Sequence, residues 1–375
     1  MKSLFLLASF ALMLPLQAQK VPNTEKKWAW LGFERPAGIN PIVRPDTTSR
    51  FFCPMHGKVA QWENSETFNP AATVFNGGIA LLYRAEDNIA KGIGSRTSRI
   101  GYAFSEDGIH FQHHGSPVLF PGGDEWTDFD VPGGCEDPRV CMTEDGLYVM
   151  TYTSWNHKLA RLSVATSRDL VHWTKHGPIF SDAHKSQLSK GYSKSGSIVT
   201  EMKNGRQVIA RIKGKYLMYW GENFVNIATS TDLIHWTPML APDGKLLHVM
   251  DTRRGYFDSQ LVECGPPAIK TRKGIILFYN GKNRRGNDGD PRYASGAYCA
   301  GQALFSSHDP TRLLDRLDYP YFYPQDSFEK SGQYPSGTVF TEGLVPFRGK
   351  WFLFYGCADS FVGVAIYDPK KANNR

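Results

Sequence analysis

Ala103-Phe104-Ser105-Glu106-Asp107-Gly108-Ile109-His110-Phe111 returns as Ala165-Thr166-Ser167-Arg168-Asp169-Leu170-Val171-His172-Trp173, and again as Ala228-Thr229-Ser230-Thr231-Asp232-Leu233-Ile234-His235-Trp236. Looser copies follow at Ala303-Leu304-Phe305-Ser306-Ser307-His308-Asp309-Pro310 and Ala365-Ile366-Tyr367-Asp368-Pro369. The five aspartates are 62, 63, 77 and 59 residues apart. Each copy reads as the end of a strand, a tight turn held by Ser and Asp side chains, and the start of the next strand with an aromatic packed beneath it. A period of this length, with strand-like sequence between the copies, points to a propeller or array rather than a two-layer sandwich. Five copies predict an all-β, five-bladed β-propeller, whose central funnel gathers polar residues from the blade mouths.

Between the repeats, residues 73–83, 146–153, 206–219, 274–279 and 350–355 are β-branched and aromatic stretches bounded by Gly, Asn or Asp, and each is expected to be a strand. Residues 310–316 are expected to form a short turn of helix. Residues 1–19 read as a secretory signal, with Lys2, an apolar run over 4–14 and a small residue at Ala18. That run is too short to span a membrane, so export to the periplasm or exterior is expected, without membrane insertion. No cysteine follows it, so no lipid anchor is indicated. Residues 20–375 are then expected to form one propeller domain.

The formal charge of +7 is modest and its lysines and arginines are scattered, which leaves no nucleic-acid footprint. Six cysteines lack metal-type spacing, although in an exported chain they are free to pair. Histidines and carboxylates are not clustered at ligand spacing, so neither a metal nor a cofactor is expected.

Polar loop residues that no turn or core requirement explains are the places to look for chemistry. Gly133-Gly134-Cys135-Glu136-Asp137-Pro138-Arg139 sets two carboxylates beside an arginine before an apolar strand; it reads either as a salt-bridged turn or as an acid held at the channel mouth. Glu263, in an apolar stretch before Gly265-Pro266-Pro267, is costly to bury unless it is paired or used. Glu222, after Trp220-Gly221, places a third carboxylate at a strand end. Carboxylates around a funnel with Trp and Tyr nearby suit work on sugars, where cleavage needs an acid and either a nucleophile or a base.

Several segments together resemble glycoside hydrolase family 130, the mannoside phosphorylases and mannosidases. They are Phe68-Asn69-Pro70-Ala71-Ala72, Leu82-Tyr83-Arg84-Ala85-Glu86-Asp87, Gly134-Cys135-Glu136-Asp137-Pro138-Arg139, Gly265-Pro266-Pro267, Tyr279-Asn280-Gly281-Lys282-Asn283 and Tyr355-Gly356-Cys357-Ala358-Asp359-Ser360. The likeness runs from about Phe33 to Pro369. It implies a five-bladed propeller and inversion at the anomeric carbon of a β-mannoside. Asp137 matches the family's general acid, thought to act through a hydroxyl of the bound mannose. Asn69, Arg84, Asp87, Arg139 and Asp359 match positions expected to hold the sugar.

The resemblance also bears on what attacks the sugar. Phosphorylases of the family usually carry glycine at the position of Glu263 and histidine at that of Asn280. A carboxylate there repels a phosphate dianion in a poorly solvated cleft and can instead take a proton from water. The hydrolytic branch acts on β-1,2-linked mannosides and places two glutamates in this region, for which Glu222 and Glu263 are the candidates. Lys194, in Ser193-Lys194-Ser195-Gly196, resembles a lysine that phosphorylases use for phosphate; here it can hold a substrate hydroxyl or neutralise Glu263. The reading is therefore an exported inverting β-mannosidase, with a phosphorylase as the alternative. A sialidase would need three arginines and a tyrosine nucleophile. A silent sugar-binding propeller would keep affinity when Asp137 is replaced, and arabinan-type hydrolases share the fold with a different motif order. Residues 287–298, rich in Gly and Asp, are expected to form a rim loop on the acceptor side.

Overall fold

The computed structural model describes residues 20–184, 188 and 191–372; the expected signal segment, 1–19, lies outside them. Among the described residues the chain is all-β with almost no helix, no helical segment being longer than four residues. No helix among them is long and apolar enough to cross a membrane.

The repeat phrases close turns as their chemistry requires. Ser105 Oγ accepts the Gly108 N–H at 2.8 Å, while Asp107 Oδ1 accepts the N–H groups of Ile109 and His110, both at 2.9 Å. The same bonds recur around Ser167 and Asp169 and around Ser230 and Asp232. In the fourth copy Ser306 Oγ and Asp309 Oδ1 accept backbone N–H groups, and in the fifth Asp368 does so alone. Side chains thus satisfy backbone donors that a tight turn leaves unpaired.

Between these turns lie antiparallel units. The first comprises β1 (Glu66–Phe75), β2 (Gly78–Glu86), β3 (Ser98–Ser105) and the edge strand β4 (Gln112–His113). The second comprises β5 (Gly134–Met142), β6 (Tyr148–Trp155), β7 (Ala160–Ser167) and β8 (Thr174–Pro178). The third has β9 (Gly196–Lys203), β10 (Lys215–Trp220), β11 (Val225–Ser230) and β12 (Trp236–Pro238). The fourth has β13 (Leu261–Cys264), β14 (Ala268–Thr271), β15 (Gly274–Lys282), β16 (Tyr298–Phe305) and β17 (Leu313–Arg316). The fifth is β18 (Val339–Phe347), β19 (Lys350–Cys357) and β20 (Phe361–Tyr367), along whose edge the N-terminal chain bridges at Glu34 and Val43.

The apolar core is divided among the interfaces between successive units. Leu82 and Ile100 pack with Val140 and Met150; Val149 and Val164 with Ile198 and Met218; Tyr219 and Ile227 with Val262 and Leu277. Phe278 and Leu304 pack with Leu344 and Leu353, and Ile79 and Leu81 with Val345 and Phe354. The last of these joins the fifth unit to the first, so the succession closes on itself. In each unit one strand tyrosine is buried: Tyr83, Tyr152, Tyr219, Tyr279 and Tyr355. Opposite three of them, in register, stand Gly101, Gly301 and Gly363, where a Cβ would meet the tyrosine ring at 2.5, 2.3 and 2.6 Å.

Three local expectations are corrected. Residues 73–83 span a hairpin turning at Asn76-Gly77, where both residues adopt left-handed backbone. Residues 206–219 are broken into Arg206–Ile209, Arg211–Ile212 and β10, because Lys213 and Gly214 make a left-handed turn. The helical turn over 310–316 is instead a loop followed by strand β17, whose backbone pairs with β16. All six cysteines are free and separately buried.

Candidate active site

Bulges in the first strands of the first two units aim the first residues of the site. Pairing of β1 with β2 slips between Phe68 and Pro70, and pairing of β5 with β6 slips between Glu136 and Arg139. Inside these bulges Asn69 and Asp137 adopt left-handed backbone, with φ of 47° and 49°. Bulges re-aim side chains, and these two meet: Asn69 Nδ2 donates to Asp137 Oδ1 at 2.8 Å. Arg84, on β2, reaches the same oxygen at 3.1 Å and also contacts Glu86 at 2.6 Å and Glu136 at 2.9 Å.

Across the cleft, Lys194 lies just before β9, Glu222 just after β10, and Glu263 within β13. The Lys194 ammonium stands 3.4 Å from Asp137 Oδ2 and 3.3 Å from Glu263 Oε1. Those two oxygens are therefore no further apart than the two distances combined, which puts them at or below the short end of the roughly 6.5–9.5 Å typical of inverting pairs. Ser195 Oγ donates to Glu263 and the Tyr192 hydroxyl to Glu222. Asp359 enters from the turn after β19, where it and Ala358 both have left-handed backbone.

These groups line a cavity of about 370 Å³. Its aromatic walls are Phe68, Trp155, Tyr192, Tyr298, Tyr334 and Phe340, and Lys282 and Gln333 complete one side. An apolar wall with converging carboxylates and cations suits a polyhydroxylated ring, which has both apolar faces and hydroxyl edges.

Electrostatics separates the carboxylates. Burial pushes Asp137 up, but Arg84, Lys194, Arg139 and the Asn69 hydrogen bond outweigh it and hold the carboxyl well below the usual range. Glu136 is pushed up to about 7 by burial, against the pull of Arg84 and with Asp137 adding to it. Asp359 is likewise raised to about 7 by burial, opposed by Arg84 and reinforced by Asp137 and Glu86. Glu263 is raised by burial, with Lys194 opposing and Glu222 reinforcing. In the free protein the proton therefore rests on Glu136 or Asp359 rather than on Asp137.

Asn69, Arg84, Asp137, Lys194, Glu222, Glu263 and Asp359 thus share one cleft. Three other expected sugar ligands stand behind its wall. Asp87 is buried against Arg99 at 2.8 Å. Asn280 is held by Thr341, accepting from its N–H at 2.8 Å and donating to its carbonyl at 3.1 Å. Arg139 is buried among backbone carbonyls. Their expected sugar contacts are corrected accordingly: their side chains are committed to these partners and do not line the cavity, although Asn280 shares a sheet face with Glu263, its partner in register. Of the expected rim loop over 287–298, only Tyr298 lines the cavity.

Sequence reasoning expected Trp and Tyr near the carboxylates without naming them, and it missed Glu86 and Glu342, a fully buried carboxylate on β18. For Glu86 the available signal was its place between Arg84 and Asp87; the tyrosines resemble any strand aromatic until the ring closes.

The glycoside hydrolase family 130 model, described as beta-1,4-mannooligosaccharide phosphorylase, matches residues 42–372. A 1,2-beta-oligomannan phosphorylase of Thermoanaerobacter sp. (strain X514) is 31% identical over 83% of this chain and 92% of its own length. A solved structure described among "glycoside hydrolases that target beta-1,2 mannosidic linkages in Candida mannan" is 57% identical, with a TM-score of 0.90, covering 92% of this chain and 95% of that one. A glycosyl hydrolase from Bacteroides ovatus is also 57% identical, with a TM-score of 0.90, over 94% of this chain and 96% of its own.

Proposed function

The chain belongs to glycoside hydrolase family 130, and from that premise we propose that it is an exported inverting β-mannosidase that hydrolyses β-1,2-linked mannosides to release mannose. We read residues 20–375 as one five-bladed β-propeller, in keeping with the closed cycle of units. The observation that carries hydrolysis is Glu263, a buried carboxylate tied to Ser195 and facing Asp137 across Lys194. A base opposite the acid would stand in this position. The 57% identity to proteins described as hydrolases, against 31% to a phosphorylase, supports the same reading.

Glu263, with its pKa raised, takes a proton from water as the water attacks the anomeric carbon, and Glu222 orients that water from the adjacent strand end. Asp137 supplies the proton for the departing oxygen through a hydroxyl of the mannose. It must be protonated to do so. Sugar binding favours this by displacing water from the carboxyl, and Glu136 and Asp359, both raised to about 7, are the neighbouring carboxyls that hold protons most readily. The bond from the anomeric carbon to the bridging oxygen breaks, water adds from the opposite face, and mannose leaves inverted.

Phosphorolysis is the second reading, favoured by Lys194 in the cleft and by the phosphorylase relative. Incubation with β-1,2-mannobiose and β-1,4-mannosyl-glucose, each with and without phosphate, separates the two. Free mannose from the 1,2-linked sugar, indifferent to phosphate, is the expected product. Mannose 1-phosphate formed only with phosphate present would overturn the proposal.

A further inference from the structure

Arg139 is almost fully buried, and its donors go to the protein backbone rather than to the cleft. Nη1 donates to the carbonyl of Asp137 at 3.0 Å, Nη2 to that of Cys264 at 2.7 Å, and Nε to that of Gly265 at 3.1 Å. One planar guanidinium therefore ties the bulge carrying the acid to the two residues that follow Glu263. Such a fork fixes geometry in a way a point charge cannot.

Behind it stands Glu342, fully buried, with Oε1 at 3.0 Å from Arg139 Nη2. Neither Glu342 oxygen has a hydrogen-bond partner, so this is a close approach rather than a directed bond, and burial pushes the Glu342 carboxyl well above the usual range against the pull of Arg139. Glu342 also lies in a bulge: pairing of β18 with β19 slips between Thr341 and Gly343. The first strands of the first, second and fifth units thus each carry a bulged polar residue, Asn69, Asp137 and Glu342. Two of these line the cleft, and the third backs the guanidinium from below.

We propose that Arg139, backed by Glu342, is a positioning residue that holds the acid Asp137 in fixed relation to the strand bearing Glu263. A left-handed aspartate in a bulge has a backbone that other conformations compete with; the bond to its carbonyl pins that backbone. The inference rests on Asp137 being the acid and applies equally whether water or phosphate attacks.

The test is kinetics of R139K and E342M on the substrate that the wild type cleaves, with kcat referred to folded protein counted from urea unfolding curves. R139K keeps the charge but cannot span three carbonyls. The expected result is a kcat at least ten-fold lower with KM within three-fold of wild type. E342M is expected to lower kcat about three-fold in the same manner. A ten-fold rise in KM with kcat preserved in R139K would make Arg139 a sugar ligand and overturn the proposal, as would wild-type kcat in both variants. If R139K does not fold, E342M decides: a lowered kcat with unchanged KM supports the proposal, and wild-type kinetics overturns it. A wild type that cleaves no β-mannoside would instead overturn the functional reading itself.

Discussion

Asn69 and Asp137 face each other from two bulges, both with left-handed backbone, and the amide of the first donates to the carboxyl of the second at 2.8 Å. N69G keeps the backbone conformation and removes only the donor. It is expected to lower kcat about ten-fold or more while costing about 1 kcal/mol of stability. Unchanged kcat in steady-state assays would show that Asp137 does not depend on this contact.

Lys194 is shared by Asp137 and Glu263, and removing one partner of a buried charge set typically costs about 3–5 kcal/mol. K194M is expected to reduce kcat/KM at least 100-fold. Because Lys194 holds the Glu263 carboxyl down against burial, its loss should move the acidic limb of the pH–rate profile upward. An unmoved limb would remove Glu263 from the role of base.

The two glutamates make separable predictions. E263Q should lose most turnover, on the scale of about 10²–10⁴ for a general base. E222Q should do the same only if the two share a water. Activity within a few-fold of wild type in both variants would refute the assignment.

Asp359 and Glu136 retain protons up to about pH 7 in the folded protein, whereas in the unfolded chain carboxyls release them near pH 4. The folded state therefore binds more protons between those values, and the stability these groups contribute is lost as pH rises through that window. Asp137, held low, acts in the opposite sense and loses its contribution on acidification. Relative to wild type, D359N should gain stability as pH is raised from 5 to 8, followed by urea unfolding at each pH. A constant difference across that range would contradict the raised value.

Gly301 lies where a Cβ would meet the Tyr279 ring at 2.3 Å. G301A is expected to destabilise by about 1–3 kcal/mol through overpacking, while kcat per folded molecule stays at the wild-type value. A thermal midpoint unchanged by the substitution would show that the ring can move aside.

Much of the site was legible where a motif carried its own geometry. Asp137, Asn69 and Asp359 lie in short stretches with Pro, Gly or Ala that bend the chain, and each has a left-handed backbone in the structure. Asp87, Arg139 and Asn280 lie in equally marked motifs yet do not line the cleft, because Arg99, backbone carbonyls and Thr341 hold them behind its wall. Glu342 carried no signal: Thr341-Glu342-Gly343 looks like an ordinary strand segment, and only the slip against β19 turns its carboxyl toward Arg139.

The sequence alone determined the repeating turns, since Ser105 and Asp107 satisfy backbone donors within three residues and need nothing distant to do so. That Glu263 stands where phosphorylases usually carry glycine was an expectation from the family resemblance and not from the residues themselves. Tertiary structure decided which charges meet. Asp137 and Lys194 are 57 positions apart in the chain, and Asp137 and Glu263 are 126 apart. Their proton affinities follow from burial and from neighbours that come together only when the units pack against one another. Local hydrogen bonds act over a few residues and can be read in order; burial and Coulomb interactions act through space, and only the closed ring sets those distances.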